Sequence, residues 1–163
     1  MKRGEAFEAR LQWQHARYSA SGAALIVKTP PDIKLIRALG AGRFVATFRG
    51  KGPPDYLGVL ASGRAVACEA KSYRGKRWKL GNLAPHQASV LHDWSELGGL
   101  AVLVISQGRE TTWAMEWSAL AETYDRWRMG EALRGGASLS VADLDRLGAR
   151  CVGVDWIAAL GVS

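Results

Sequence analysis

Cysteine is scarce in this chain, and its scarcity narrows the class of protein. The 163 residues include two cysteines, Cys68 and Cys151, which do not form a CxxC motif. A chain of this length does not need disulfides in order to fold, so we expect reduced thiols and neither a zinc site nor a disulfide scaffold. Cys68 lies in an apolar row, which predicts a small core residue.

Long hydrophobic runs are also missing. The longest apolar stretches, such as residues 100–105, are far too short to cross a bilayer, and the charged start MKRGEAFEAR is not followed by an apolar segment. The sequence therefore predicts no membrane anchor and no secretion signal. We expect a cytoplasmic protein.

Positive charge is in excess. Lys and Arg number 22 against 15 Asp and Glu, which gives a formal charge of +7 and a pI near 9.8. Such a balance favours an anionic partner such as nucleic acid, although it can also serve only to keep a domain soluble. The composition, 48% hydrophobic and 23% charged, is typical of a globular protein, and the length predicts a single domain over residues 1–163.

Hydrophobic periodicity predicts the order of the elements. We expect an amphipathic helix over about residues 3–18, a helix beginning at Pro85, and further helices over 117–127 and 140–147. Strands are predicted over 23–27, 43–49, 55–60, 64–72, 100–105 and 111–115, whereas 32–39 is compatible with strand or helix. This order predicts an α/β (α+β) fold in which a mixed central sheet is flanked by helices.

Two carboxylates and a lysine occur at a spacing that suits phosphodiester hydrolysis. If the strands at 55–60 and 64–72 pair through the turn at Ser62, Asp55 lies beside Glu69 and Lys71, which share one strand face about 7 Å apart. Carboxylate oxygens hold a divalent metal, and a lysine neutralises charge on the phosphate. The alternative is an ordinary solvated strand face, because an E-x-K triplet arises easily by chance.

Several short stretches, in order from residue 3 to residue 106, resemble the RecU family of Holliday-junction resolvases, which are PD-(D/E)xK nucleases. The matching stretches are Arg3-Gly4-x-x-Phe7-Glu8, Asp55-Tyr56-x-Gly58-Val59, Glu69-Ala70-Lys71, Asn82 with His86-Gln87, and Ile105-Ser106. The resemblance implies a restriction-endonuclease-like core. Residues 107–163 carry no motif of the family and are expected to support that core. The resemblance implies a protein of the bacterial cytoplasm, encoded by a host or, because the chain is compact beside bacterial members of the family, by a phage.

The resemblance also implies roles for individual residues. Asp55 and Glu69 would be metal ligands together with the backbone carbonyl of Ala70, and Lys71 would orient the attacking water or stabilise the transition state. Glu8 matches a third carboxylate of the family, with a solvated helix glutamate as the alternative. Gln87 matches a glutamine that faces the site. The implied cofactor is a pair of Mg²⁺ or Mn²⁺ ions, with no organic cofactor.

Two basic segments are candidate DNA-binding surfaces. Residues 30–54 correspond in position to a stalk that enters the junction in proteins of this family, with a solvated basic hairpin as the alternative; its cations are Lys34, Arg37, Arg43, Arg49 and Lys51. A second patch surrounds Tyr73 and Trp78 and contains Arg74, Lys76, Arg77 and Lys79. Such cations hold the phosphate backbone without reading sequence.

The function that the resemblance implies is a divalent-metal-dependent endonuclease that resolves four-way DNA junctions by paired symmetric nicks. Because two symmetry-related strands are cut, we expect a homodimer. Two alternatives remain at this point: another PD-(D/E)xK nuclease of the restriction or repair kind, and a non-catalytic protein that binds junctions. Most of the seven tryptophans are expected in the core or in an interface.

Overall fold

The computed structural model describes residues 3–48, 50, 52–108, 111–131 and 136–163. Its helices are α1 (Arg3–Ser21), α2 (Pro85–Glu96), α3 (Trp117–Arg128), α4 (Val141–Leu147) and α5 (Trp156–Leu160). The strands of the first half are β1 (Ala24–Lys28), β2 (Ile33–Gly40), β3 (Arg43–Phe48), β4 (Tyr56–Leu60) and β5 (Ala65–Tyr73). Those of the second half are β6 (Arg77–Lys79), β7 (Leu100–Gln107), β8 (Thr111–Glu116), β9 (Ser138–Ser140) and β10 (Ala149–Arg150).

Six strands form one mixed sheet in the order β1-β4-β5-β7-β8-β10. Strands β5 and β7 are parallel, and the other neighbouring pairs are antiparallel. The uninterrupted aliphatic run of β7 is explained by its central position, because both of its faces are covered. The predicted mixed sheet flanked by helices is therefore confirmed.

The alternation of side chains along β5 divides the core into two halves. Val66 and Cys68 are fully buried on the face that α1 covers, together with Leu11. Ala67 points to the opposite face, where it packs in the cluster that contains Leu91 of α2 and residues of α3. Because side chains alternate, Glu69 also points to the α2 face. One strand thus supplies both halves of the core.

Helices α2 and α4 begin where local features of the sequence predict. Pro85 occupies the first turn of α2, where its missing N–H costs no hydrogen bond. Ser140 caps α4: its hydroxyl accepts from the backbone N–H of Asp143, and the Asp143 carboxylate accepts from the Ser140 N–H. Leu97 follows the helix and is 89% exposed, so it adds nothing to the buried face of α2.

Strands β2 and β3 pair only with each other and form a separate hairpin. The ambiguous segment around residues 32–39 is thus a strand. Every residue from 33 to 47 is exposed. The hairpin carries predicted cations, but it also exposes large apolar side chains, namely Ile33, Leu35, Ile36, Leu39, Phe44 and Val45. We call the segment Ile33–Phe48 the hairpin.

The C-terminal residues hold α1 in place through buried polar contacts that the sequence did not predict. The indole N–H of Trp156 donates to Nε2 of His15 over 3.0 Å, and both side chains are buried. The Tyr18 hydroxyl donates to Asp155 over 2.8 Å and accepts from the Ile157 N–H over 3.1 Å. No helix in the described part of the chain is long and apolar enough to span a membrane.

Burial of His15 should make stability depend on pH. Burial lowers the pKa of His15 from 6.5 to about 4, so the unfolded chain binds a proton at a higher pH than the folded one. The stability is complete above the unfolded pKa and is lost as pH falls toward the folded pKa. We expect the free energy of unfolding to fall by about 2 kcal/mol between about pH 7 and pH 5 from this group.

Urea unfolding of the wild type and of His15→Gln at both pH values measures this contribution. The His15→Gln variant should lose most of the pH dependence, whereas His92→Gln, at an exposed position of α2, should keep it. Equal pH dependence in wild type and His15→Gln would contradict the assignment.

Candidate active site

The antiparallel pairing of β4 and β5 brings the predicted acidic residues together. Tyr56 lies opposite Cys68, so Asp55 lies at the end of β5 that carries Glu69. The Ala70 N–H donates to Oδ2 of Asp55 over 2.9 Å, and the Asp55 N–H lies 3.4 Å from Oε2 of Glu69. A separation of fourteen residues along the chain has become a direct contact in space.

A lysine and a glutamine complete this cluster. The Lys71 ammonium donates to Oε1 of Glu69 over 2.8 Å and to Oε1 of Gln87 over 2.9 Å. The Gln87 amide N–H donates to the same Glu69 oxygen, and its carbonyl oxygen accepts from the Ala84 N–H over 3.0 Å at the start of α2. Gln87 therefore ties the first turn of α2 to β5.

The Glu69 carboxylate is buried and lies beside a second carboxylate. Glu69 is 1% exposed, and its carboxylate forms an ion pair with the Lys71 ammonium. Burial raises the pKa of Glu69, the nearby Asp55 raises it further, and Lys71 opposes both effects. A buried carboxylate that ionises beside a half-buried second one is costly unless cations compensate it. The site therefore attracts more positive charge than Lys71 alone supplies.

A divalent ion fits this donor set. Hard cations such as Mg²⁺ bind oxygen ligands, and one or two carboxylates with water and substrate phosphate suffice. Asp55 and Glu69 supply two such carboxylates. Among the described residues, no group of three or more His, Cys, Asp and Glu side chains is close enough to hold a metal ion. The described residues therefore bring two carboxylates together here, and the carbonyl of Ala70 stays a prediction as a further ligand.

Glu8 has a different partner in the structure. Its carboxylate lies 2.5 Å from the ammonium of Lys28, the last residue of β1, and both side chains are about half exposed. Burial raises the pKa of the Tyr56 hydroxyl, and the charge of Glu8 raises it further. Glu8 therefore lies near the start of β4, the strand that follows Asp55. Its role as a third metal carboxylate stays a prediction.

A cleft of about 280 Å³ lies beside the cluster, between the base of the hairpin and the start of α2. The side chains of Asp55 and Gln87 line it, together with those of Lys28 and His86. No motif in the sequence indicates Lys28 as a site residue; its one signal is that it directly follows the predicted strand 23–27. The structure pairs this strand, β1, with β4, so that Lys28 lies opposite Tyr56, the residue after Asp55.

The predicted DNA-binding residues lie in two segments, the hairpin with the chain that follows it, and the chain around β6. On the hairpin, Lys34, Arg37 and Arg43 are exposed, whereas Arg49 and Lys51 lie outside the described residues. Around β6, the exposed cations are Arg74, Lys76, Arg77 and Lys79.

The aromatic residues of this second patch do not face solvent. Arg77 donates to Ser138 and lies 3.7 Å from Asp143, so it has internal partners. Trp78 is fully buried and Tyr73 is 8% exposed, so neither ring is available for stacking on a base. DNA binding by this patch stays a prediction, and it rests on the exposed cations rather than on the two aromatic rings.

Comparison with known proteins identifies the family. A family model described as RecU, Recombination protein U, matches residues 2–147, well over half of the chain. A solved structure of Hjc, a Holliday junction resolvase from Archaeoglobus fulgidus, is similar over 88% of this chain and 93% of its own, with 16% identity and a TM-score of 0.49. No curated protein matches the chain. The match to the family model shows that the chain belongs to the RecU family of Holliday junction resolvases and is an endonuclease.

Proposed function

We propose that this chain, as a homodimer, resolves four-way DNA junctions by divalent-metal-dependent hydrolysis that leaves paired symmetric nicks. The observation that supports this proposal best is the buried Glu69 carboxylate, held beside Asp55 by Lys71 and Gln87. A structural role alone does not account for two adjacent carboxylates, one of which lines a cleft, because their repulsion lowers stability.

Asp55 and Glu69 would hold one or two Mg²⁺ or Mn²⁺ ions. When bound, such an ion polarises the scissile phosphate and lowers the pKa of water. Lys71 is positioned by two acceptors and is 18% exposed, so its ammonium can donate to the attacking water or to a phosphate oxygen. Gln87 orients Lys71 without adding charge, because a neutral amide both accepts from the ammonium and donates to Glu69.

The hairpin supports the homodimer. An isolated two-stranded hairpin is marginally stable in water, and this one leaves six large apolar side chains exposed. A second copy related by a twofold axis would cover the apolar side chains of both hairpins at once. The same axis would place two active sites on opposite strands of a junction, which paired nicking requires. The hairpin cations Lys34, Arg37 and Arg43 would then lie beside the DNA.

The function is tested by cleavage of a labelled four-way junction and of a matched linear duplex, with Mg²⁺ or with EDTA. We expect paired symmetric nicks in the junction only, abolished by EDTA. Lys71→Gln should slow single-turnover cleavage by about a hundredfold, because it removes a positioned cation from the transition state.

Arg146→Gln is the matched control for this experiment, because Arg146 lies on α4 in an exposed ion pair with Asp143. It should cleave like the wild type. Equal cutting of duplex would indicate a general nuclease of the same superfamily, and binding without cutting under every divalent ion tested would indicate an architectural protein.

Removal of one carboxylate should stabilise the metal-free protein. Asp55→Asn keeps an oxygen to accept from the Ala70 N–H but removes the repulsion of Glu69. We expect the free energy of unfolding in EDTA to rise by about 1 kcal/mol and the stabilisation by Mg²⁺ to disappear. Glu122→Gln, at a side chain that is 87% exposed, should change neither quantity. A less stable Asp55→Asn protein would contradict the repulsion.

A charge on the hairpin should separate the subunits. Leu35→Asp would place a carboxylate in the apolar contact, so we expect a monomer at micromolar concentration where the wild type is a dimer. Thr47→Asp is the matched control, because it adds the same charge at an exposed polar position of the hairpin. Sedimentation equilibrium measures both variants. A Leu35→Asp dimer as stable as the wild type would exclude the hairpin from the interface.

A further inference from the structure

We propose that Lys28 is a DNA-binding residue of the active-site cleft whose ammonium exchanges Glu8 for a phosphate of the bound strand. The inference rests on the proposed function, since it names a further substrate contact of the same site. The observation behind it is the ion pair between Lys28 and Glu8, which no motif in the sequence indicates.

The fold places Lys28 beside the reacting centre. In the pairing of β1 with β4, Lys28 lies opposite Tyr56, and the next residue, Thr29, donates its N–H to the Asp55 carbonyl over 3.0 Å. The Lys28 side chain lines the cleft with Asp55 and Gln87. A phosphate that reaches the carboxylate pair therefore enters a cleft that Lys28 borders.

The cleft needs a cation that is free to move. The charged or titratable groups on its wall are Lys28, Asp32, Asp55 and His86. Two carboxylates repel an incoming phosphate. Lys71 is already held by Glu69 and Gln87 and is 18% exposed, whereas the Lys28 side chain is 47% exposed. Among the described residues at the site, Lys28 therefore carries the more exposed of the two ammonium groups.

The Lys28–Glu8 pair is suited to exchange. The Glu8 side chain is 41% exposed, and ion pairs at this level of exposure contribute little to stability because water solvates both charges. A phosphate oxygen offers the ammonium a charge-assisted hydrogen bond of similar geometry. Before DNA binds, Glu8 holds Lys28 at the cleft and neutralises it. After DNA binds, the phosphate replaces Glu8.

Competition between Glu8 and phosphate predicts effects of opposite sign. Removing the Lys28 charge weakens DNA binding, because a phosphate contact is lost. Removing the Glu8 charge strengthens DNA binding, because Lys28 no longer has to leave a carboxylate. In the double variant the Glu8 substitution has no effect on DNA affinity, because there is no Lys28 ammonium to free for the phosphate. If Glu8 acted only as a metal ligand, Glu8→Gln would tighten binding in EDTA by the same factor with or without the Lys28 charge, because only phosphate repulsion would be removed.

The experiment measures the affinity of the full-length protein for a fluorescent four-way junction by anisotropy, in EDTA and over a series of KCl concentrations. We expect Lys28→Gln to bind about fivefold more weakly, with a salt slope reduced by about one unit. Glu8→Gln should bind about threefold more tightly, and the double variant should behave like Lys28→Gln. Lys28→Arg should bind like the wild type.

Arg146→Gln is again the control, because it removes one charge from an exposed ion pair on α4, which packs against β8 and β10 at the sheet edge opposite β1. Thermal unfolding verifies that each variant is folded. The inference is overturned if Lys28→Gln binds like Arg146→Gln, if Glu8→Gln binds no more tightly than the wild type, or if the two effects add. A wild type that binds no junction would instead overturn the proposed function together with it.

Discussion

The Glu69 carboxylate is buried where β5 meets α2, and its need for hydrogen bonds and cations constrains how these two elements pack. A buried charge next to Asp55 persists only where hydrogen bonds and cations compensate it. Lys71 and Gln87 supply this compensation, and they come from two different elements, β5 and α2. The chain therefore has to hold the start of α2 against β5 to within hydrogen-bond distance. That requirement ties the packing of one half of the core to the chemistry of the site.

The sheet meets this requirement because β5 is shared. Its antiparallel neighbour β4 delivers Asp55, and its parallel neighbour β7 follows directly after α2, the helix that carries Gln87. The crossover from β5 through α2 to β7 packs the helix on the face to which Glu69 points. The strand tolerates the ionisable pair Glu69 and Lys71 because Val66, Ala67 and Cys68 are fully buried on its two faces.

The elements with strong local signals were predicted, and those without such signals were not. The aliphatic run of β7, the proline at the start of α2 and the capping box of α4 are local features, and each element forms where its signal stands. The short strands β6, β9 and β10 have two or three residues each and no periodicity to detect. Burial of Trp78 in β6 was not predicted, because its segment shows no apolar periodicity.

At the site, the types and order of Asp55, Glu69 and Lys71 left two interpretations open, a metal-binding acidic pair beside a lysine or a solvated strand face, because strand alternation is local geometry. The resemblance to the RecU family favoured the first and added Gln87. Tertiary structure alone decided which further charges meet there. Lys28 contacts Glu8 only because β1 pairs with β4 and α1 packs beside it, and contacts between distant segments leave no periodic signal in a single chain.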